Sequence, residues 1–278
     1  MSNADIANLA PGIYYDMPYS DYHQIIAFRS SELREAAKSL LHYKRYVEQR
    51  REPSYALDFG KAFHVTLEKN PTEIIKAGPT KTAYTQKWLK AMEAEPETVF
   101  IQESDIEMVR AMQRGVLAHE VGNNLYHGAE HDEVVIVWVC AETGVRLKCR
   151  IDALTCETAA VDWKTTGALK LRALKYAIRD YGYDIQMAMI RDGLHAHKLS
   201  HRREFYNCFV EKTEHLPDVA VYEFEIAELN QATARYRQAI RDIEEARRTD
   251  YWPGICPSTF KSEEYGEDYV AGFGEGAA

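Results

Sequence analysis

The chain of 278 residues is 46% hydrophobic and 28% charged, with a formal net charge of −9; this is enough apolar material for one sizeable core with elaborations, and it argues against a general polyanion-binding surface. No run approaches the roughly 18 apolar residues of a membrane span, and the first residues lack a basic-then-apolar signal, so a cytoplasmic protein without membrane contact is expected. Cysteines at 140, 149, 156, 208 and 256 include no C-x-x-C pair and read as reduced thiols, with no support for a disulfide, a zinc site or an iron–sulfur cluster.

Residues 1–11 read as a flexible leader. Gly12-Ile13-Tyr14-Tyr15 is a short extended piece that Met17-Pro18 breaks before Asp21-Tyr22-His23. Ser30 and Ser31 offer an N-cap for a helix to about residue 50, with Leu33, Ala36, Ala37, Leu40 and Leu41 as its apolar stripe. After Pro53, a helix over about 56–69 sets Gly60, His64 and Glu68 one turn apart beside a ridge of Phe59, Phe63 and Leu67. On spacing alone, a histidine there is a packing residue more often than a ligand.

Residues 70–131 give mixed signals. Pro71 and Pro79 punctuate a loop, 84–94 and 104–119 look helical, and Gly122-Asn123-Asn124 marks a turn, so a helical elaboration covering one side of the site is expected. The apolar run over 132–140 predicts a buried strand, and Glu142-Thr143-Gly144 turns it into the next, giving a three-stranded meander that ends at Lys164. Helices over about 169–180 and 184–197, strands over 203–211 and 219–226, and an amphipathic helix over about 227–248 follow, with 256–278 a flexible tail. His195, His197 and His201 lie among cations at a helix end and read as a solvated basic patch, not a zinc site.

The chemistry concentrates in residues 145–164. Val145, Leu147, Cys149 and Ile151 alternate with Arg146, Lys148, Arg150 and Asp152, a strand with one buried and one polar face. In the next run Asp162 and Lys164 fall on one face and Val161 and Trp163 on the other. An antiparallel hairpin between the runs can bring Asp152 beside Asp162. Two strand-borne carboxylates next to a lysine suit a divalent cation that keeps open positions for a phosphate and an attacking water. The bare spacing is weak, because it occurs by chance about once in a chain this long, and an ordinary hairpin with a solvated Asp/Lys face is the alternative.

Four pieces then agree in order: Gly60-Lys61-Ala62-Phe63-His64 on a helix, Asp152 ending a strand, Asp162-Trp163-Lys164-Thr165-Thr166 on the next, and Gln186 on a later helix. Together they resemble the RecB-like branch of the PD-(D/E)XK nucleases. The opening Gly12-Ile13-Tyr14 with Met17-Pro18 and Tyr22-His23, the strand Leu147-Lys148-Cys149-Arg150-Ile151-Asp152, and Tyr183-Asp184-Ile185-Gln186 with Asp192-Gly193 resemble the nuclease domains of the RecE type, exonuclease VIII, over about 12–255.

The resemblance implies an α/β, restriction-endonuclease-like core of a mixed sheet flanked by helices, and hydrolysis of double-stranded DNA from its ends with Mg2+ or Mn2+. It implies that His64, Asp152 and Asp162 are metal ligands with the Trp163 carbonyl a fourth, that Lys164 is the catalytic amine, and that Gln186 positions the site. Ile190 stands where relatives often carry a tyrosine, which leaves a DNA-backbone contact absent or to Tyr183 or Tyr181. A homo-oligomeric ring gathering Arg146, Lys148 and Arg150 around the duplex, a phage or prophage recombination role, and a single-strand annealing partner are further implications. The alternatives are an endonuclease or single-strand nuclease on the same core, or a non-catalytic DNA-binding or assembly protein.

Overall fold

The computed structural model describes residues 3–49, 54–156 and 158–255. Its first part holds α1 (Asn3–Ala7), β1 (Gly12–Tyr14), α2 (Tyr19–Gln24), α3 (Ser30–Lys38), α4 (Leu40–Glu48) and α5 (Tyr55–Leu67). Then come β2 (Ile74–Ala77), α6 (Gln86–Ala94), β3 (Thr98–Ile101), α7 (Glu103–Ala118) and α8 (Glu120–Gly128). The remainder is β4 (Ala129–Val139), β5 (Arg146–Thr155), β6 (Ala159–Thr166), α9 (Leu171–Asp180), α10 (Tyr183–Ala196), β7 (Glu204–Glu211), β8 (Val219–Glu223) and α11 (Ile226–Thr249).

A six-stranded sheet, ordered β1-β4-β5-β6-β7-β8, carries the fold; β6 and β7 run parallel and every other neighbouring pair is antiparallel. Side-chain alternation sends Val134, Ile136, Trp138, Leu147, Cys149 and Ile151 to one face, where they bury against α3, α10 and α11. Gly193 lets α10 lie close to β4, since a Cβ there would meet the Trp138 ring at 3.1 Å. On the other face Ala153, Val161, Trp163, Cys208 and Val210 pack against α5 and α7. Helices on both faces make this the α/β restriction-endonuclease-like layering expected. No described helix is long and apolar enough to cross a membrane.

The structure departs from the sequence reading in places. The described part of the expected leader is anchored: Ile6 and Leu9 are buried with Tyr22 and Ile25 over Val135 and Val137. The helix expected from 30 to 50 breaks at Ser39, whose extended backbone and Oγ, accepting the His42 N–H at 3.1 Å, cap α4 instead. Gly122-Asn123-Asn124 is helical, because His119 Nδ1 accepts the Gly122 N–H at 3.1 Å and caps the start of α8, while the Asn123 side-chain amide donates to the Leu117 carbonyl at 2.6 Å and satisfies the end of α7. The elaboration over 70–131 also contains a strand pair, with β2 parallel to β3. The expected tail, 256–278, lies outside the described residues.

Candidate active site

The site forms where two central strands part. β5 and β6 pair only through Ala153–Val161 and Leu154–Ala160; one step further the same register sets Asp152 across from Asp162, and there the ladder ends. The Trp163 N–H, left without a β5 carbonyl, donates to Asp152 Oδ2 at 2.7 Å. The parallel β6–β7 ladder continues past the fork and pairs Asp162 with Asn207 and Lys164 with Phe209. Because β6 alternates, Trp163 packs with the α5 and α7 core while Asp162 and Lys164 turn to the face that α10 covers.

Asp162 is 1% exposed and is enclosed by donors. Gln186 Nε2 on α10 donates to its Oδ1 at 2.7 Å, Asn207 Nδ2 donates to its Oδ2 at 2.9 Å, and Lys164 Nζ forms an ion pair with Oδ2. Lys164 Nζ also donates to Gln186 Oε1 at 3.2 Å and lies 4.7 Å from the Tyr183 ring centroid. One glutamine therefore fixes both the carboxylate and the amine.

On the other side of the fork, His64 on α5 places Nδ1 3.3 Å from Asp152 Oδ2. Glu133 joins them. β4 pairs Asp132 with Ala153 and Val134 with Ile151, so Glu133 lies across from Asp152, with its backbone at φ +54°. A left-handed glutamate costs on the order of 1–3 kcal/mol and persists where surroundings dictate it, often at functional sites. Its carboxylate pairs with Arg150. His64, Glu133 and Asp152 each offer one donor atom, and these atoms lie within 4.8 Å of one another. One imidazole and two carboxylates suit a divalent cation.

Electrostatics separates the carboxyls. Burial pushes Asp152 up, but the charge and hydrogen bond of His64, with Lys164 and the Trp163 N–H, outweigh it and hold the carboxyl down at about 2. Burial lifts Asp162 to about 6 against the pull of Lys164. Burial, with Asp152 adding, lifts Glu133 to about 8 although Arg150 opposes it. For His64 burial works downward, yet the Asp152 carboxylate raises the imidazole to about 9. Burial likewise opposes the Lys164 charge, but Asp162 and Asp152 raise its pKa above the ordinary lysine value, so the amine is a cation and not a base.

The structure thus brings Asp152, Asp162, Lys164, Gln186, His64 and Trp163 to one fork. The metal-capable group among the described residues joins His64 and Asp152 to Glu133, while Asp162 sits in the cage of Lys164, Gln186 and Asn207. Sequence reading missed Glu133 and Asn207. The hairpin register could have found Glu133: Cys140 pairs with Val145 around the turn, and counting seven residues back along each strand reaches Glu133 and Asp152. Asn207 offers only a polar residue inside an apolar strand.

Ile190 is fully buried in the sheet-facing core, and it is Tyr183 that lies against Lys164. The three cations of β5 do not form a free basic face. Arg146 donates to the Leu9 carbonyl, Lys148 is 4% exposed and donates to the Tyr22 and Ile25 carbonyls at 2.8 and 2.7 Å, and Arg150 pairs with Glu133. The N-terminal segment covers them, which period-2 spacing cannot reveal.

Comparison with known proteins gives a family and a fold. Residues 23–259 match the PDDEXK-like domain of unknown function (DUF3799). A crystal structure from Eubacterium rectale, provisionally described as an exonuclease, superimposes with a TM-score of 0.62 at 14% identity, covering 88% of this chain and 92% of that one. The crystal structure of SSO0001 covers 74% of this chain and 84% of its own at 12% identity, with a TM-score of 0.28 that carries no argument. No curated protein matches. The chain belongs to the family of the PDDEXK-like domain of unknown function, and its fold is that of the PD-(D/E)XK nucleases.

Proposed function

We propose that the chain is a deoxyribonuclease that uses Mg2+ or Mn2+ to hydrolyse phosphodiester bonds from the ends of double-stranded DNA. The observation that carries this reading is the fork itself, where the Lys164 cation is clamped by Asp162 and Gln186 beside Asp152. His64, Asp152, Asp162 and the Trp163 carbonyl, with Glu133 beside them, are the residues that would hold the ion. When bound, it supplies Lewis-acid charge to the scissile phosphate and makes a water nucleophilic near neutral pH. Lys164 orients that water and offsets charge building on the phosphoryl oxygens, and Gln186 keeps the amine and the Asp162 carboxylate in fixed relation. The water oxygen bonds to phosphorus as the bond to the leaving oxygen breaks, giving a phosphate monoester and a hydroxyl.

The preference for ends is supported by the resemblance to RecE-type domains and by a fold shared with a protein described as an exonuclease. A ring-shaped homo-oligomer, a recombination role in a phage or prophage, and a single-strand annealing partner belong to the same proposal. Enclosure would suit a chain of net charge −9, which holds DNA weakly by charge alone, although the ring's lining would have to come from cations other than Arg146, Lys148 and Arg150. End-labelled linear, nicked and closed circular DNA, incubated with and without magnesium, tests this. Loss of linear duplex only with magnesium, closed circles being spared, is the expected result. Cutting of closed circles would move the reading to an endonuclease, and no cutting under any condition to a DNA-binding protein.

A further inference from the structure

Exposed cations are dense on and beside α9, in a chain of net charge −9. Lys170, Arg172, Lys175 and Arg179 are exposed or nearly so, and among the described residues none of the four forms an ion pair with a carboxylate. Other surface cations are divided: Arg241 pairs with Glu142, Arg248 with Glu245 and Lys76 with Glu95, while Lys87, Lys90 and Lys198 are exposed and form no ion pair among the described residues. The helix is anchored by Leu174 and Ile178, both in the main core. Arg172, Lys175, Tyr176 and Arg179 follow the i, i+3, i+4, i+7 spacing of one face, and Arg172 lies 6.0 Å from the Tyr176 ring centroid. The stripe runs from Arg172 to Arg179, seven steps of 1.5 Å or about 10 Å.

Both ends of α9 are tied to the candidate site. Four residues separate it from the end of β6, the strand that carries Asp162 and Lys164. At its other end the Tyr181 ring lies 5.7 Å from that of Tyr183, whose own centroid is 4.7 Å from Lys164 Nζ. That end is held rigidly: Arg34 Nη1 donates to the Tyr181 carbonyl at 2.9 Å, and the Arg34 stem fills the space over Gly182, which is at φ +63°. Exposed apolar and aromatic side chains accompany the cations, with Leu171 74%, Tyr181 57% and Tyr176 42% exposed. A grip on duplex backbone requires cations alone. Cations interleaved with exposed rings are the composition of a platform for unpaired bases.

We infer that α9 and Tyr181 bind the unpaired strand of the DNA substrate, its phosphates on Arg172, Lys175 and Arg179 and a base on the Tyr181 ring, next to Lys164. This rests on the nuclease reading above, and it adds that the strand meets the site single-stranded. The four side chains are exposed and outside the catalytic set, so their replacement should leave the melting temperature unchanged.

The test is fluorescence anisotropy with a labelled single-stranded oligonucleotide and a blunt duplex, with Ca2+ in place of magnesium, alongside turnover with magnesium. The triple variant R172Q/K175Q/R179Q should bind single strands at least tenfold more weakly. Its slope of log affinity on log salt should be smaller by about 2, from roughly 0.7 per lost phosphate contact. It should also show a raised KM with kcat within about twofold. Tyr181→Ala should weaken single-strand binding about tenfold with the salt slope unchanged, as stacking predicts. Wild-type cleavage of DNA with unaltered affinity and slope in the triple variant would overturn the inference and leave the nuclease reading standing, as would a loss confined to duplex binding. Wild-type protein that neither binds nor cuts any DNA would overturn both.

Discussion

Asn207 lies across the parallel β6–β7 ladder from Asp162 and donates its amide to Oδ2 at 2.9 Å. The side chain is fully buried, and its Oδ1 has no hydrogen-bond partner among the described residues. A buried acceptor left unmatched costs about 1–3 kcal/mol, so the residue contributes little to stability in return for holding one carboxylate. Asn207→Leu, close in size and unable to donate, should lower kcat on the order of 10–100-fold, the range for residues that orient a metal site's ligands. Its melting temperature should be unchanged or raised. Steady-state kinetics at saturating metal with a thermal melt decides, and unaltered kcat would reduce Asn207 to packing.

Asp162→Asn tests the carboxylate itself. The amide keeps the shape but offers one acceptor end, where the carboxylate accepts from Gln186 at Oδ1 and from Asn207 and Lys164 at Oδ2, and it removes the anion that would help hold the ion and balance charge at phosphorus. A loss of about 3 kcal/mol or more, over 100-fold in turnover, is expected. Burial already pushes this carboxyl up to about 6, but the neutral residue leaves the Lys164 cation without its carboxylate partner, so the melting temperature should fall as well, and turnover is read well below it. Wild-type turnover at saturating magnesium would reject the site.

How much of this was legible follows from which residues announce themselves by period. Asp152, Asp162 and Lys164 sit in clean alternating runs, and the fork is the hairpin those runs imply. His64 and Gln186 carry no sign of their role in spacing alone, and only the ordered resemblance singled them out. Glu133 was hidden because it opens an apolar strand in a left-handed backbone, a conformation that glutamate does not advertise. Arg146, Lys148 and Arg150 misled because alternation fixes which face a side chain takes but not what covers that face, and here Leu9, Tyr22 and Ile25 do.

The ligand set on the β4–β5 side separates by metal titration. His64→Ala should raise the magnesium or manganese concentration for half-maximal activity about tenfold or more; in the metal-free protein it should also remove the stability of the His64–Asp152 pair, a loss that fades as pH rises through about 9. Glu133→Gln should raise that concentration likewise only if Glu133 is a ligand; otherwise metal dependence should stay at the wild-type value. A His64→Ala protein that melts far lower and shows ordinary metal dependence would make His64 a packing residue.

The last prediction concerns pH. In the metal-free protein His64 is raised from 6.5 to about 9 and Glu133 from 4.5 to about 8, so near pH 7 both hold protons that a bound ion must displace. Asp152, held down at about 2, has none to give. Apparent metal affinity should therefore rise with pH through the window from about 6.5 to 9 and level off above it. Below about pH 8 the slope of log affinity on pH should be about 1 if His64 alone among these two ligates and about 2 if Glu133 joins it, and between about 8 and 9 it should be near 1 in either case. Stability of the metal-free protein should move the opposite way. His64's contribution is fully present below about 6.5 and is lost as pH rises through about 9, and that of the buried Glu133, fully present below about 4.5, is lost as pH rises through about 8. Calorimetric titration with Mn2+ in buffers of differing ionisation enthalpy counts the released protons, and melts of the metal-free protein across the same range give the second sign. An affinity independent of pH between 6.5 and 9 would mean that neither His64 nor Glu133 meets the ion, leaving Asp152 and Asp162 to hold it without them.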